Sequence, residues 1–156
     1  ALAVASKRPL ARVIATDLSE DALAVARGNA GRLGFPDVAF AQGDWYAALP
    51  AGTPAFDAIA SNPPYIAQGD DHLGLGDLRH EPPQALTPGG DGLDALRTIV
   101  ERAPARLAPG GWLAVEHGHD QSDEVRSLFE AAGFDAIGVR RDLAGIPRVV
   151  MGRRPR

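Results

Sequence analysis

The chain of 156 residues contains no cysteine, one methionine and few aromatic residues (6%). Without cysteine there is no disulfide framework, thiolate zinc site or cysteine nucleophile, and the composition fits a reducing compartment such as the cytoplasm. No segment reaches the roughly 18 apolar residues that a membrane-spanning helix needs. The net charge is −4, and only the last four residues form a basic run. The chain therefore lacks the electrostatic footprint of a nucleic-acid-binding protein.

Apolar strand-like runs alternate along the chain with helical stretches, which predicts an α/β fold with a mostly parallel sheet. The length predicts one domain with a single core. The last two strands are joined by a short loop, which predicts an antiparallel edge strand. Strands are predicted at residues 12–17, 38–42, 56–61, 112–116, 134–140 and 148–151, helices at 19–33, 93–107 and 121–132, and a turn at 109–111. The first helix is predicted to have Ser19 as its N-cap, an apolar stripe that includes Val25 and Leu33, and its end at Gly34.

Polar side chains follow three of the predicted strands. In open α/β sheets, ligands bind beyond the carboxyl ends of the strands, so these side chains mark a candidate site. Asp17 could accept hydrogen bonds from the hydroxyls of a ribose, or it could cap the following helix. Trp45 could lie against an adenine ring whose amino group Asp44 receives, or it could pack in the core. The third group begins at Asn62.

The segment Asn-Pro-Pro-Tyr at residues 62–65 ends the third strand. Proline holds φ at about −65° and has no N–H, and it restricts the residue before it to extended geometry. Asn62 and Pro63 both precede a proline, so their carbonyls are held with few local donors. The Asn62 side chain and the Pro63 carbonyl could accept both protons of a planar –NH2 group, while Tyr65 packs on that group. A turn after a strand is the simpler alternative, and Pro64 fits either.

Other candidate sites are weaker. Glu116, His117 and His119 stand close together after a strand, but they do not make a complete metal site, and no metal is predicted. Residues 66–90 are rich in Gly, Asp and Pro, and a loop of this length is usually functional or mobile. His72 and His80 lie in it and are interpreted as solvated. The chain has no P-loop and no nucleophile elbow.

Taken together, these segments resemble the catalytic domain of the peptide chain release factor N5-glutamine methyltransferases over essentially the whole chain. The Asn-Pro-Pro-Tyr segment alone is shared with adenine, cytosine and guanine amino-methyltransferases, whereas the later segments are more specific to the glutamine branch. The residues that carry the resemblance are Asp17, Gly43-Asp44-Trp45, Ser61-Asn62-Pro63-Pro64-Tyr65-Ile66, Arg79-His80-Glu81-Pro82, Gly90-Asp91-Gly92-Leu93 and Glu116-His117-Gly118.

The resemblance implies a Rossmann-like class I methyltransferase fold with S-adenosylmethionine as the cofactor. It implies that Asp17 holds the ribose and that Trp45 lies near the adenine. It further implies that the segment from Asn62 to Tyr65, with Pro63 and Pro64 between them, binds and orients the acceptor. The acceptor would be the glutamine of the Gly-Gly-Gln motif in class I release factors, with neither nucleic acid nor membrane as a direct partner.

The chain departs from this family before Asp17, where no Gly-x-Gly is present. Residues 1–5 resemble the helix that follows the glycine-rich loop of such enzymes. We therefore expect the first strand, that loop and the N-terminal helical domain to be missing, which would leave a slot in the sheet. Unpaired backbone groups in such a slot are costly, so weak or absent cofactor binding is predicted.

Two other functions remain open from the residues alone. A nucleic-acid amino-methyltransferase could use the same tetrapeptide, although phosphate binding needs a basic face that this acidic chain lacks. A non-catalytic α/β domain that has lost its cofactor loop is the third reading. Methyl transfer to a release factor would distinguish a glutamine methyltransferase from both of these alternatives.

Overall fold

The computed structural model of the protein describes residues 1–66 and 90–156. The chain divides into two compact units, Ala1–Thr53 (unit 1) and Pro54–Arg156 (unit 2). The length had predicted one domain. The predicted loop at residues 66–90 lies outside the described residues except for its two ends. The described strands form two sheets, one in each unit.

Unit 1 contains a two-stranded parallel sheet and two helices. The strands pair from Ile14 with Ala39 to Asp17 with Gln42, so their carboxyl ends lie side by side. The predicted strands at residues 12–17 and 38–42 are confirmed with shorter bounds. Its elements are α1 (Leu2–Lys7), β1 (Ile14–Asp17), α2 (Glu20–Leu33), β2 (Ala39–Gln42) and a 3₁₀ turn (Trp45–Ala48).

The bounds of α2 follow from local chemistry. The hydroxyl oxygen of Ser19 accepts a hydrogen bond from the Ala22 N–H at 3.2 Å, which satisfies one of the free donors of the first turn. Glu20 and Asp21 lie in that turn, where the helix dipole favours acidic groups. The helix ends at Gly34, whose φ of 78° is in the left-handed region that favours glycine. The predicted cap and end are confirmed.

Unit 2 contains a four-stranded sheet in the order β3-β4-β6-β5. β3 is parallel to β4, and β6 is antiparallel to both of its neighbours. The predicted antiparallel strand is therefore present, but it lies between β4 and β5, and β5 forms the edge. The elements of this unit are β3 (Phe56–Ser61), α3 (Asp94–Arg102), a 3₁₀ turn (Ala103–Ala105), β4 (Leu107–Glu116), α4 (Ser122–Ala131), β5 (Asp135–Arg141) and β6 (Pro147–Arg153).

The stretch around Leu107 differs from the prediction of a helix to that residue followed by a turn. α3 ends at Arg102, and Leu107 already pairs with Phe56 as the first residue of β4. The next recorded pair is Ala58 with Trp112, so the Pro-Gly-Gly stretch at residues 109–111 forms an irregularity inside the strand. A Cβ on Gly111 would lie 2.9 Å from the Phe56 carbonyl oxygen, so this close approach requires glycine.

The core of unit 2 lies where α3 and α4 pack near the sheet. Phe129 is fully buried, and its ring centroid lies 5.0 Å from that of Phe134 at a tilt of 48°, a favourable aromatic geometry. In the described ranges, no helix has the length and apolar character to span a membrane. The largest fully buried apolar side chains are Phe129, Leu96, Leu107, Leu113, Val100, Val115, Val125 and Val150.

Candidate active site

In unit 1, Asp17 lies at the carboxyl end of β1 with its side chain exposed. One carboxylate oxygen, Oδ1, accepts the Ser19 N–H at 2.8 Å, and the Asp17 carbonyl accepts the Gly43 N–H at 3.0 Å. Within the described ranges the second carboxylate oxygen accepts no recorded hydrogen bond. Asp17 thus serves the start of the helix and still presents a free acceptor, so the two alternatives for this residue are compatible.

Asp44 and Trp45 follow β2. Asp44 is exposed, and its side chain makes no capping hydrogen bond although it precedes the 3₁₀ turn. Trp45 is only half-buried and has a φ of 44°, an unusual value for a residue with a side chain. Trp45 is therefore not a fully buried core residue. A backbone outlier of this kind is often found at functional sites.

In unit 2, the residues at the end of β3 differ in exposure. Asn62 is exposed, and in the described part of the chain its side chain makes no recorded hydrogen bond. Pro63 is buried, whereas Pro64 and Tyr65 are half-buried. A rigid, buried proline thus anchors the segment while the amide before it remains available. That is the arrangement expected of a group that must receive a polar ligand.

An open cavity of about 300 Å³ lies at the carboxyl ends of β3 and β4. Asn62 and Glu116 supply the longer polar side chains of its lining. The strand register explains their proximity, because Ser61 pairs with Val115 and the residues that follow each leave the sheet at the same edge. The lining consists of Ala60, Ser61, Asn62, Ala114, Glu116 and Val149.

Tyr65 is held at both of its ends by groups that follow β4. Its hydroxyl lies 3.5 Å from Glu116 Oε1, and its carbonyl oxygen accepts a hydrogen bond from Gln121 Nε2 at 2.9 Å. Burial, followed by the negative charge of Glu116, raises the pKa of Tyr65 above its usual value, and Arg148 opposes this effect. The hydroxyl is therefore neutral at physiological pH and can donate a hydrogen bond.

The two histidines after β4 have different surroundings. His117 is fully buried, and its Nδ1 donates to the Gly118 carbonyl at 2.7 Å, while His119 is exposed beside Asp120. The His117 Nε2 atom is buried without a hydrogen-bond partner. Among the described residues no group of three or more His, Cys, Asp or Glu side chains could hold a metal ion.

The Gly-Asp-Gly-Leu segment at residues 90–93 directly precedes α3. Asp91 Oδ1 accepts the Leu93 N–H at 3.0 Å, and Arg97 binds both carboxylate oxygens of Asp91, at 3.0 and 2.5 Å. These contacts, the Arg97 hydrogen bond first, lower the pKa of Asp91 to about 2. The segment thus has a structural role at a helix start. The Arg-x-Glu-Pro segment at residues 79–82 lies outside the described residues.

Sequence reasoning missed two contributors to this region. Glu116 was considered only as a weak metal ligand and as part of a family segment, although it lines the cavity. Gln121 was considered only as the beginning of a helix, although its side chain joins Tyr65 to the end of β4. A signal for Gln121 was present, because glutamine is not a favoured residue at a helix N-cap.

The fold and this site define a class of protein. A family model described as a methyltransferase domain matches residues 1–136. The chain is also similar to a solved methyltransferase from Pyrococcus furiosus, with a TM-score of 0.72, 18% identity, and coverage of 99% of this chain and 68% of that one. At this identity the likeness shows the fold alone, and the predicted class I methyltransferase fold is confirmed.

Two further comparisons narrow the class. The chain is 54% identical over 155 residues to a release factor glutamine methyltransferase of Xylella fastidiosa, covering 99% of this chain and 56% of that protein. It is 30% identical to the solved release factor-specific protein-(glutamine-N5) methyltransferase of Alicyclobacillus acidocaldarius, with a TM-score of 0.50 and coverage of 93% and 80%. The chain belongs to the methyltransferase domain family and, within it, to the release factor glutamine methyltransferases.

The chain spans about half the length of the curated relatives it matches, 56% in the case of Xylella fastidiosa. Among the similar solved structures, the methyltransferase SibL is described as S-adenosylmethionine-dependent and a methyltransferase from Streptococcus mutans is in complex with SAH, which agrees with the predicted cofactor. The family membership confirms the resemblance that the sequence motifs predicted.

Proposed function

We propose that this chain acts in the transfer of a methyl group from S-adenosylmethionine to the side-chain amide nitrogen of glutamine in the Gly-Gly-Gln motif of class I release factors. Family membership supports this proposal. The single observation that carries it further is the exposed Asn62 amide at the rim of an open cavity shared with Glu116, in a segment anchored by a buried proline. The proposed partner is a release factor, and the proposed location is the cytoplasm.

We propose Asp17, Asp44 and Trp45 as cofactor-binding residues, together with Asn62. The chemistry of these side chains fits the cofactor. Asp17 has a free carboxylate oxygen that could accept hydrogen bonds from ribose hydroxyls, and the exposed carboxylate of Asp44 makes no capping hydrogen bond. The half-buried indole of Trp45 supplies a flat surface for an adenine ring. S-adenosylmethionine supplies a methyl group bound to a positively charged sulfur, and the carbon of this methyl group is the electrophile of the reaction.

We propose Asn62, Pro63 and Tyr65 as catalytic residues, with Pro64 completing the acceptor site. An amide nitrogen is a weak nucleophile because its lone pair is delocalised into the carbonyl group. Hydrogen bonds from both N–H groups, to the Asn62 side-chain oxygen and the Pro63 carbonyl, would orient the nitrogen and expose its lone pair. The nitrogen–carbon bond forms as the carbon–sulfur bond breaks, leaving a neutral thioether, and the nitrogen releases one proton to water.

The proposal treats residues 1–156 as parts of one catalytic domain. The family model supports it, because residues 1–136 include all of unit 1 and most of unit 2. Direct binding of nucleic acid is not part of the proposal, since the net charge is −4 and phosphate binding needs basic residues.

The test is transfer of labelled methyl groups to a purified class I release factor, with a variant whose motif glutamine is replaced by glutamate as the acceptor control. The chain is assayed alone and joined to the residues of the Xylella fastidiosa relative that it does not cover. We expect label on the motif glutamine with the joined chain, in which Asn62→Ala should reduce the rate by about 10²-fold or more because an orienting acceptor is lost. Label in DNA or RNA but not in the release factor would contradict the proposal.

A matched variant separates chemistry from folding. Asn29→Ala removes the same side chain from a partly exposed position of α2, where the side-chain oxygen of Asn29 accepts a hydrogen bond from Arg32. Its rate should stay at the parent value. An equal loss in Asn29→Ala and Asn62→Ala would show that the Asn62 effect is not specific to the site.

A further inference from the structure

We propose that Gln121 is the positioning residue that holds the Asn-Pro-Pro-Tyr segment at the mouth of the cavity. The inference rests on the proposed function of that cavity and deepens it. Gln121 precedes α4 and lies 56 residues from Tyr65 in the chain, yet its side chain binds the Tyr65 backbone. It does not touch the reacting atoms, so its action would be indirect.

Both ends of the Gln121 side-chain amide are in use. Nε2 donates to the Tyr65 carbonyl at 2.9 Å, and Oε1 accepts the Gly118 N–H at 2.8 Å. One partner only accepts and the other only donates, so the orientation of the amide is determined. The side chain thereby ties the end of β4 to the segment that follows β3.

The backbone at Gly118 is shaped to admit this side chain. A Cβ at Gly118 would lie 2.9 Å from Gln121 Oε1 and 3.2 Å from Asp120 Oδ1. The Gln121 N–H also donates to the Gly118 carbonyl at 3.1 Å, which closes a tight turn. Glycine at this position therefore permits the close approach on which the Tyr65 contact depends.

The Gln121 side chain binds the Tyr65 carbonyl and does not cap the helix that it precedes. It occupies the N-cap of α4, where Ser, Thr, Asp and Asn are preferred, and its side chain makes no capping hydrogen bond. A residue that breaks a local rule while making a long-range contact is expected at functional positions. The helix does without a side-chain cap, and the site obtains a fixed carbonyl.

Tyr65 is consequently held at two points, through its carbonyl by Gln121 and through its hydroxyl by Glu116. The charged groups that face its hydroxyl are Glu116 and Arg148. Since Glu116 lines the cavity beside Asn62, these two contacts of Tyr65 fix the distance between the two longer polar side chains of the lining. Without Gln121 the segment would be free to shift, and small displacements of orienting groups are costly to catalysis.

The first readout needs no catalysis. The chain has two tyrosines, so in a Tyr46→Phe background the spectrophotometric titration reports Tyr65 alone. Gln121→Met keeps the length of the side chain and removes both hydrogen bonds without changing the charge. Release of Tyr65 reduces its burial, so its titration midpoint should fall toward the usual value. An unchanged midpoint would overturn the proposal.

The second readout separates positioning from stability. Gln121→Ser cannot reach Tyr65 but supplies a favoured N-cap, so its melting temperature should change little. The KM for the release factor should nevertheless rise about tenfold in both variants. An unchanged KM would overturn the positioning role. Ser127→Ala, on an exposed turn of α4, is the control and should match the parent in every measurement.

The two proposals can fail separately. If the parent protein methylates no release factor, the proposed function fails, while the Tyr65 titration still decides whether Gln121 holds the segment. If the parent is active and Gln121→Met and Gln121→Ser match it in titration and KM, the proposed function stands and the role of Gln121 is refuted.

Discussion

Unit 1 and unit 2 each combine parallel strands with helices, but they bury their apolar side chains to different extents. In unit 1 the buried hydrophobic residues are Ala5, Leu23, Ala30 and Val38, two of which are alanines. All the other buried hydrophobic residues of the described chain lie in unit 2. Five large apolar side chains of unit 1 are exposed, namely Val4, Leu10, Leu18, Val25 and Leu33.

This difference shows that a clear local signal does not guarantee burial. Among the described helices, α2 has the most complete set of local signals, with a side-chain N-cap, an acidic first turn and a terminal glycine. Val25 and Leu33 belong to its predicted apolar stripe, yet they are 65% and 62% exposed. A two-stranded sheet is marginally stable by itself, whereas three or more strands packed on helices can stand alone. We therefore expect unit 2 to be the more stable unit.

The largest expected effect is the loss of the central aromatic side chain of unit 2. Phe129→Ala should lower the free energy of unfolding by about 3–5 kcal/mol, because it removes a fully buried ring and leaves a cavity. Leu33→Ala, at an exposed position of α2, should change it by less than about 0.5 kcal/mol. Urea denaturation measures both. Similar losses in the two variants would contradict the comparison.

A smaller loss is expected where unit 2 has no spare room. A Cβ on Gly152 would lie 2.7 Å from Phe129 Cδ1 and 3.0 Å from Phe134 Cβ, in a packed interior. Gly152→Ala should therefore cost about 1–3 kcal/mol through overpacking. Gly138→Ala, on β5, meets no atom within 4 Å and should be close to neutral. Thermal unfolding of both variants measures the difference. Equal melting temperatures would show that the core around Phe129 and Phe134 rearranges to accept the added methyl group.

The smallest expected effect is a gain in unit 1. Gly28 lies inside α2, and a Cβ there would meet no atom within 4 Å. Gly28→Ala should stabilise the helix by about 0.5–1 kcal/mol, because alanine loses less conformational freedom on folding. Hydrogen exchange should slow in α2 and remain the same in β4. A matching change in β4 would show that the two units open together.

The sequence motifs predicted the family of the protein better than they predicted the contacts within its site. The Asn-Pro-Pro-Tyr segment and its companions predicted the family, because they combine residue types that few other functions require. Asn62 is exposed and Pro63 is buried, as a presented amide on a rigid anchor should be. The contacts of Tyr65 with Glu116 and Gln121 could not be predicted, since neither partner is near it in the chain.

Local interactions were sufficient for the elements whose signals lie within a few residues. The cap at Ser19, the end at Gly34 and the bounds of β3 at Phe56–Ser61 were all predicted from the sequence. Leu107 was predicted as the end of a helix, because apolar periodicity alone cannot tell helix from strand over a short stretch. Its pairing with Phe56, 51 positions earlier in the chain, decided the matter.

The amino-acid sequence alone therefore determined the class of fold, the family and the residues proposed to bind the cofactor and the acceptor, because capping, periodicity and motif chemistry act within short segments. Only the tertiary structure decided that β6 lies between β4 and β5, that Glu116 borders the cavity with Asn62, and that Gln121 holds Tyr65. Those features depend on contacts between residues far apart in the chain, and such contacts form only when the strands have taken their order in the sheet.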